Sequence, residues 1–354
     1  TTRRQPGCAL FPCTPLARCV WALAGPKVVA EDALTRDLQG HELTQAWAST
    51  LDTANDTRFR WDFSLRVVHA AGVPRRGLLS AVGADFHRVF STAAGDIGTL
   101  RLQGYALHAD GLPSTPGIFD DAHDWEWTYR ICDFNFTRFA ASGFNLRIGH
   151  YEIPYGLEQT QNTNGTLRQY LSSANLGIKT DWGMTINAQR ATHEFELSLS
   201  RGSGRYWKNI DRAYVLAGRV GTPREENFAI GASFMSSRLP SDGLTRRERV
   251  GLDAIWTLPA VTLLAELNLG KNDTLDAASG LLEVNCSTPD DGGTAFLQLL
   301  GTETDGDDKY WANLGAAKHL GAGVMLSTQW QVDLDALNGS EPSERIMFQL
   351  RYRF

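Results

Sequence analysis

No stretch of the 354 residues reaches about 18 consecutive apolar side chains, so the chain offers no helix able to cross a bilayer. A helical membrane protein is thereby excluded. A membrane-spanning β-barrel is not, because in a barrel strand only every second side chain needs to be apolar. Cationic excess is also missing. The formal charge is -6, which leaves no general basic footprint for nucleic acid. The eight histidines are scattered, and no G-x-S-x-G, H-E-x-x-H, Walker or dinucleotide-binding pattern occurs, so nothing indicates an enzyme. The five cysteines include no C-x-x-C-H, which excludes covalent haem attachment. Cys8, Cys13 and Cys19 are spaced for a small disulfide loop with one thiol left over. His41 is the only histidine near them, too few ligands for a metal site, and no cofactor is expected. Cys132 and Cys286 fall on predicted strands and read as small side chains. The first residues lack the positive-then-apolar-then-small order of a secretory signal, which implies one that was removed or never present.

Glycine and tryptophan are plentiful, at 34 and ten, as in a strand-and-turn protein with interfacial aromatics. After residue 56 strict alternation recurs almost everywhere. "RFRWDFSLRV" places Phe59, Trp61, Phe63, Leu65 and Val67 on one face and Arg58, Arg60, Asp62, Ser64 and Arg66 on the other. "AVTLLAELNLG", "RVGLDAIWTL", "GVMLSTQWQVDL" and the terminal "RIMFQLRYRF" repeat the pattern. Predicted strands cover 57–69, 77–90, 98–108, 124–138, 143–151, 174–189, 192–201, 211–221, 226–236, 246–258, 260–270, 278–287, 294–303, 309–319, 322–334 and 343–354. Many run to ten residues or more, the length a tilted membrane strand needs. The turns alternate between short ("QRAT", "LPA", "HLGAG") and mostly longer ("RGSGRYWKNI", "SSRLPSDGLTR", "GKNDTLDAAS", "ETDGDD"). Short periplasmic turns and longer extracellular loops are the plan of outer-membrane barrels. The expected fold is therefore all-β: a transmembrane antiparallel β-barrel of about 16 strands over 57–354. Residues 1–56 stand apart as a periplasmic or lumenal segment, irregular, with a short helix across 30–50.

The last strand and the terminal "YRF" resemble those of bacterial outer-membrane porins. "LRIGHYEIPYGLEQTQNTNGTLRQY" is similar to a region of the phosphate-selective porin family and its uncharacterised relatives, in which a strand ends in an I-P-[FY]-G turn before a long loop. The basic ladder of the phosphate-selective members has no residue-by-residue match, so the resemblance does not extend to phosphate selectivity. It implies a bacterial outer-membrane location, contact with lipid, and delivery by the insertion machinery with Phe354 as the assembly signal. A homotrimer is the assembly that general sixteen-stranded porins imply.

Strand parity turns Arg58, Arg60, Arg66, Arg130, Arg147, Arg249, Arg345, Arg351 and Arg353 inward as pore-lining residues. The first and last strands would close the barrel side by side, so six of these arginines would form one cationic wall with Asp62 as its only acid. The span 152–173 is expected to fold inward as a constriction loop carrying Glu152, Glu158, Gln161, Asn164 and Arg168. The expected function is a channel for passive diffusion of small ions or solutes, favouring anions. The competing expectation is a barrel sheath around a periplasmic multihaem cytochrome, the lumenal charges then facing a protein partner.

Overall fold

The computed structural model describes residues 57–354 apart from 71–76, 93–94, 111–124, 140–142, 158–165, 172–174, 208–211, 241–244, 289–291 and 335–342. The expectations for 1–56, for Cys8, Cys13 and Cys19, and for Glu158, Gln161 and Asn164 lie outside the described residues. Sixteen strands follow in order: β1 Thr57–Ala70, β2 Gly77–Thr92, β3 Gly95–Asp110, β4 Glu126–Phe136, β5 Asn145–Glu152, β6 Thr180–Gln189, β7 Glu194–Ser200 and β8 Tyr214–Gly221, then β9 Phe228–Arg238, β10 Arg246–Thr257, β11 Val261–Asn272, β12 Leu275–Ser287, β13 Gly293–Thr304, β14 Asp307–Gly321, β15 Val324–Asp333 and β16 Glu344–Arg353. Each pairs antiparallel with its sequence neighbours, and β1 pairs with β16, so the sheet is a closed barrel. Closure leaves no unpaired edge, a condition for holding backbone in hydrocarbon.

The two faces are inverted relative to a water-soluble barrel. Trp61, Leu252, Leu267, Phe348 and Leu350 are exposed, whereas Asp62, Asp253, Glu266, Gln349 and Arg351 are buried. Such an outer surface fits a hydrocarbon solvent, and the barrel spans a membrane. Where β1 meets β16, Phe63 stacks on Phe354 with ring centroids 6.1 Å apart, and Tyr352 lies 6.5 Å from Phe63. The Phe354 amide donates to the Trp61 carbonyl at 3.2 Å and the Trp61 amide returns a bond at 2.8 Å, so Phe354 extends the ladder. Glycines make room for cross-strand aromatics. A Cβ at Gly83, Gly218, Gly301 or Gly315 would meet the ring of Tyr105, Phe234, Tyr310 or Phe296 directly opposite.

Several boundaries differ from those the pattern predicts. The connections after β11 and β13 are tight turns rather than longer loops. Asp273, Asp305 and Gly306 adopt positive φ, which Asp and Gly tolerate best, and the strands run on to the turn. Residues 175–179 belong to the connection ahead of β6, not to the strand, because Leu176 and Ile178 pack with Val215, Ala217, Met235 and Leu239. β5, β7 and β8 are shorter than expected. Single bonds such as Arg201 amide to Trp182 carbonyl, 3.0 Å, carry the pairing past the strand ends. Cys132 is free, but Cys286 is disulfide-bonded, so it is not merely a small side chain.

Candidate functional site: the inner wall and the connection 153–179

Alternation turns charged side chains to the inner face, and cross-strand register decides which of them meet. Most of the arginines meet carboxylates. Arg351 grips Asp62 with two bonds, the Nε–Oδ1 one at 2.8 Å. Arg353 donates to Asp85 Oδ2 at 2.6 Å, and Gln103 donates to the other oxygen of Asp85 at 2.7 Å. Arg147 pairs with Glu196 at 2.7 Å, Arg130 with Glu152, and Arg168 with Glu283 at 2.9 Å. Two further forks were not singled out from the sequence. Arg101 holds Asp133 at 3.0 and 2.6 Å, and Arg219 holds Asp253 at 2.9 and 2.5 Å while reaching Glu194 at 2.6 Å. Buried ions persist only when paired and hydrogen-bonded, and bidentate forks do both.

The expected wall of six arginines is thus changed in kind. β1 and β16 do lie side by side, with Arg66 opposite Gln349 and Ser64 opposite Arg351. Arg58, Arg60 and Arg345 are half-buried on the same face. But Asp85 on β2 sits directly opposite Arg60 and bonds Arg353. Asp85 was not singled out from the sequence, and its partner on β16 is set by the stagger of the closed barrel. Arg66 differs from its neighbours, because its Nη2 donates to two neutral oxygens, Thr166 O at 3.2 Å and Gln349 Oε1 at 3.4 Å. Arg249 bonds Asn175 Oδ1 at 2.9 Å and the Lys271 carbonyl at 2.7 Å.

The connection after β5 folds onto this wall. It begins with a turn that the sequence dictates. Pro154 fixes its own φ, and the Tyr155 amide donates back to the Ile153 carbonyl at 2.9 Å, a three-residue turn. Gly156 follows at φ +54°, where a Cβ would lie 2.4 Å from Glu266 Oε2. The reversal drives Leu157 among Ala229, Ile255, Leu264, Leu281 and Leu300, where it is fully buried. Further on, Leu171 joins that cluster, and Leu167 packs on Val68 of β1 and Met347 of β16.

Polar bonds fix the register. The Leu157 amide donates to Glu266 Oε2 at 2.7 Å and the Gly156 amide to Ser233 Oγ at 3.0 Å. The Gln169 amide and carbonyl both meet Gln298, at 3.0 and 2.9 Å. The Gln169 side chain reaches Gln331 at 2.7 Å and accepts from Trp311 Nε1 at 3.0 Å. Glu283, Gln298, Asn313 and Gln331 stand in one row across β12 to β15 and form the bed for Gln169. The seating is mainly apolar in energy. Each buried Leu contributes about 1.5–3 kcal/mol, whereas a neutral hydrogen bond nets about 1 kcal/mol.

No family model and no curated protein sequence matches the chain. Solved structures do. An anion-selective porin from Comamonas acidovorans superposes with a TM-score of 0.59 at 10% identity, over 85% of this chain and 100% of that one. OprB of Pseudomonas putida gives 0.61 at 8% identity, covering 87% and 97%. OmpT of Vibrio cholerae in its trimer form gives 0.57 at 11% identity, covering 85% and 100%. The chain shares the porin fold. At such identities the likeness is one of architecture, and solute preference has to be argued from this chain's own residues.

Proposed function

We infer that this chain is a bacterial outer-membrane channel through which small ions and polar solutes diffuse passively. The reading rests on one observation above others: a closed barrel, apolar outside and charged inside, in which the described residues 153–157 and 166–171 of the connection after β5 are bonded to the inner wall from β9 round to β1. Such a connection narrows the lumen without occupying every side of it. The same arrangement works against the sheath reading, because a folded cytochrome would need the volume that the connection takes. The porin fold supports a homotrimer, which light scattering of the detergent-solubilised protein would test. Planar-bilayer recording in potassium chloride tests the channel itself, and absence of single-channel steps would refute it.

Anion preference is proposed in a reduced form. Arg66 keeps its charge beside neutral acceptors, while Arg351 and Arg353 are offset by Asp62 and Asp85. Selectivity should therefore be weak in the native chain. Replacing Asp62 and Asp85 together by Asn is expected to move the reversal potential in a salt gradient toward anions. The shift should shrink at 1 M salt, where the Debye length falls to about 3 Å. An unmoved reversal potential would take this wall off the conduction path. Orientation is testable separately. Protease added to intact cells should cut within 201–213 or 239–245 and spare the turn 222–227; the reverse pattern would invert the assignment of sides.

A further inference from the structure

On the side of the connections 201–213 and 239–245, assigned to the outside, β6 to β10 each carry one outward side chain in a single cross-strand row. The row runs Trp182, Arg201, Tyr214, Arg238, Arg246. The Arg201 amide donates to the Trp182 carbonyl at 3.0 Å, and Ser200 opposite Val215 sets Arg201 against Tyr214. Tyr214 stands opposite Arg238, and Arg238 opposite Arg246. Two to four residues further along the strands, Met184, Leu199, Leu216 and Phe234 are exposed on the same outer face. That face of β6 to β9 includes no carboxylate, because Asp181, Glu194 and Glu196 turn inward. On β10 Glu248 pairs with Arg246, and Asp273 accepts from the Arg246 amide at 2.8 Å. Arg201 has no ion-pair partner among the described residues. Its guanidinium lies over the exposed Trp207 ring, 5.2 Å from the centroid, and Trp207 meets Trp182 edge-on at 4.7 Å. Arg201 is half-buried and Arg238 exposed, so both are open to the surroundings.

A guanidinium keeps its charge, and on a lipid-facing wall it is least costly at headgroup level beside an anion. Arg238 also faces the like charge of Arg246 across the strand pair, an unfavourable placement that an anion relieves. Two strand spacings, about 10 Å, separate the backbones of Arg201 and Arg238, and both long side chains can close on one group over Tyr214. A phosphate monoester carries a charge of about -1.5 to -2, enough for two guanidiniums, and its oxygens take arginine in bidentate fashion. A zwitterionic headgroup offsets its own phosphate. A free phosphate makes no use of the apolar wall next to the row. We propose that the outer wall of β6 to β9 holds a lipid whose headgroup is a phosphate monoester. The phosphate lies between Arg201 and Arg238, and the acyl chains lie on Met184, Leu199, Leu216 and Phe234. The proposal rests on the outer-membrane reading, since only a bilayer brings lipid to this wall.

The test is native mass spectrometry of the full chain in neutral detergent, titrated with dioleoyl phosphatidate. Dioleoylglycerol, dioleoyl phosphatidylcholine and inorganic phosphate are the controls. Wild type should retain phosphatidate with a half-saturating concentration about tenfold or more below that of either control lipid. Arg201→Gln and Arg238→Gln should each raise that concentration about tenfold, the loss expected for a hydrogen bond to a charged group. Arg190→Gln removes an exposed arginine from the turn at the opposite end of the β6–β7 hairpin and should leave it unchanged. Heat-modifiable migration on gels verifies that each variant folds, and the comparison of lipids in wild type needs no variant. No preference for phosphatidate in wild type, unchanged affinity in both arginine variants, or an equal loss in Arg190→Gln would overturn the site. Equal affinity for inorganic phosphate would make it a free-anion site and overturn the lipid assignment. Fewer subunits per particle in Arg201→Gln, with lipid binding unchanged, would give the wall to a second copy of the chain and also overturn it. Lipid affinity is read on the folded barrel in detergent and the channel reading on single-channel steps, so the two fail separately.

Discussion

Leu267→Arg is expected to leave almost no folded barrel in the membrane fraction. Leu267 is mid-strand on β11, opposite Leu252, and both are more than half exposed on the outer face. An arginine near the bilayer midplane costs about 2–4 kcal/mol, and the cost falls to about 0–1 kcal/mol near the interfaces. That depth dependence supplies the control. Leu275, also exposed, sits at the turn-proximal end of β12, so Leu275→Arg should assemble nearly as well as wild type. The measurement is the fraction of heat-modifiable protein in membranes. Equal yields of the two variants would mean that the apolar outer face is not in contact with hydrocarbon. Leu267→Ile should be close to neutral, because it keeps an apolar side chain of the same volume.

Leu157→Asp should produce a severalfold rise in single-channel conductance with the barrel intact. Leu157 is fully buried in the cluster that ties the connection to β9 through β13. Truncating such a residue costs about 2–5 kcal/mol, and burying an unpaired carboxylate there costs more. Hydrogen bonds at Gln169 and Gly156, worth about 1 kcal/mol each, cannot hold the connection against that. The sheet itself does not depend on Leu157, so heat-modifiable migration should persist. Gly156→Val should act in the same direction. It would force a β-branched residue to φ +54° and bring its Cβ against the Glu266 carboxylate. Conductance unchanged in both variants would show that the connection does not set the width of the lumen.

The two predictions draw on different levels. The first is readable from the chain alone. A period of two, sustained over segment after segment, fixes which residues face outward, and one wrongly inserted strand would have scrambled the alternation of short and long connections. Strand number, closure of β1 on β16 and the inward parity of Arg66, Arg351 and Asp62 follow from that pattern. Short-range turn chemistry is less legible. "NDT" and "TDG" make tight turns because Asp and Gly accept positive φ, whereas composition alone marks the same stretches as longer loops.

The second prediction needs tertiary structure. Parity states which face a side chain takes but not which side chain it meets. Arg353 and Asp85 are 268 positions apart, and only the stagger of β16 against β1 and β2 brings them into contact. That contact, together with Arg351 on Asp62, turns an expected cationic wall into a set of ion pairs, because buried charge is stable only where it is compensated. The same holds for the connection. The I-P-Y-G turn is visible as a string, but its seat against β9 through β13 follows from which walls the closed barrel sets opposite one another.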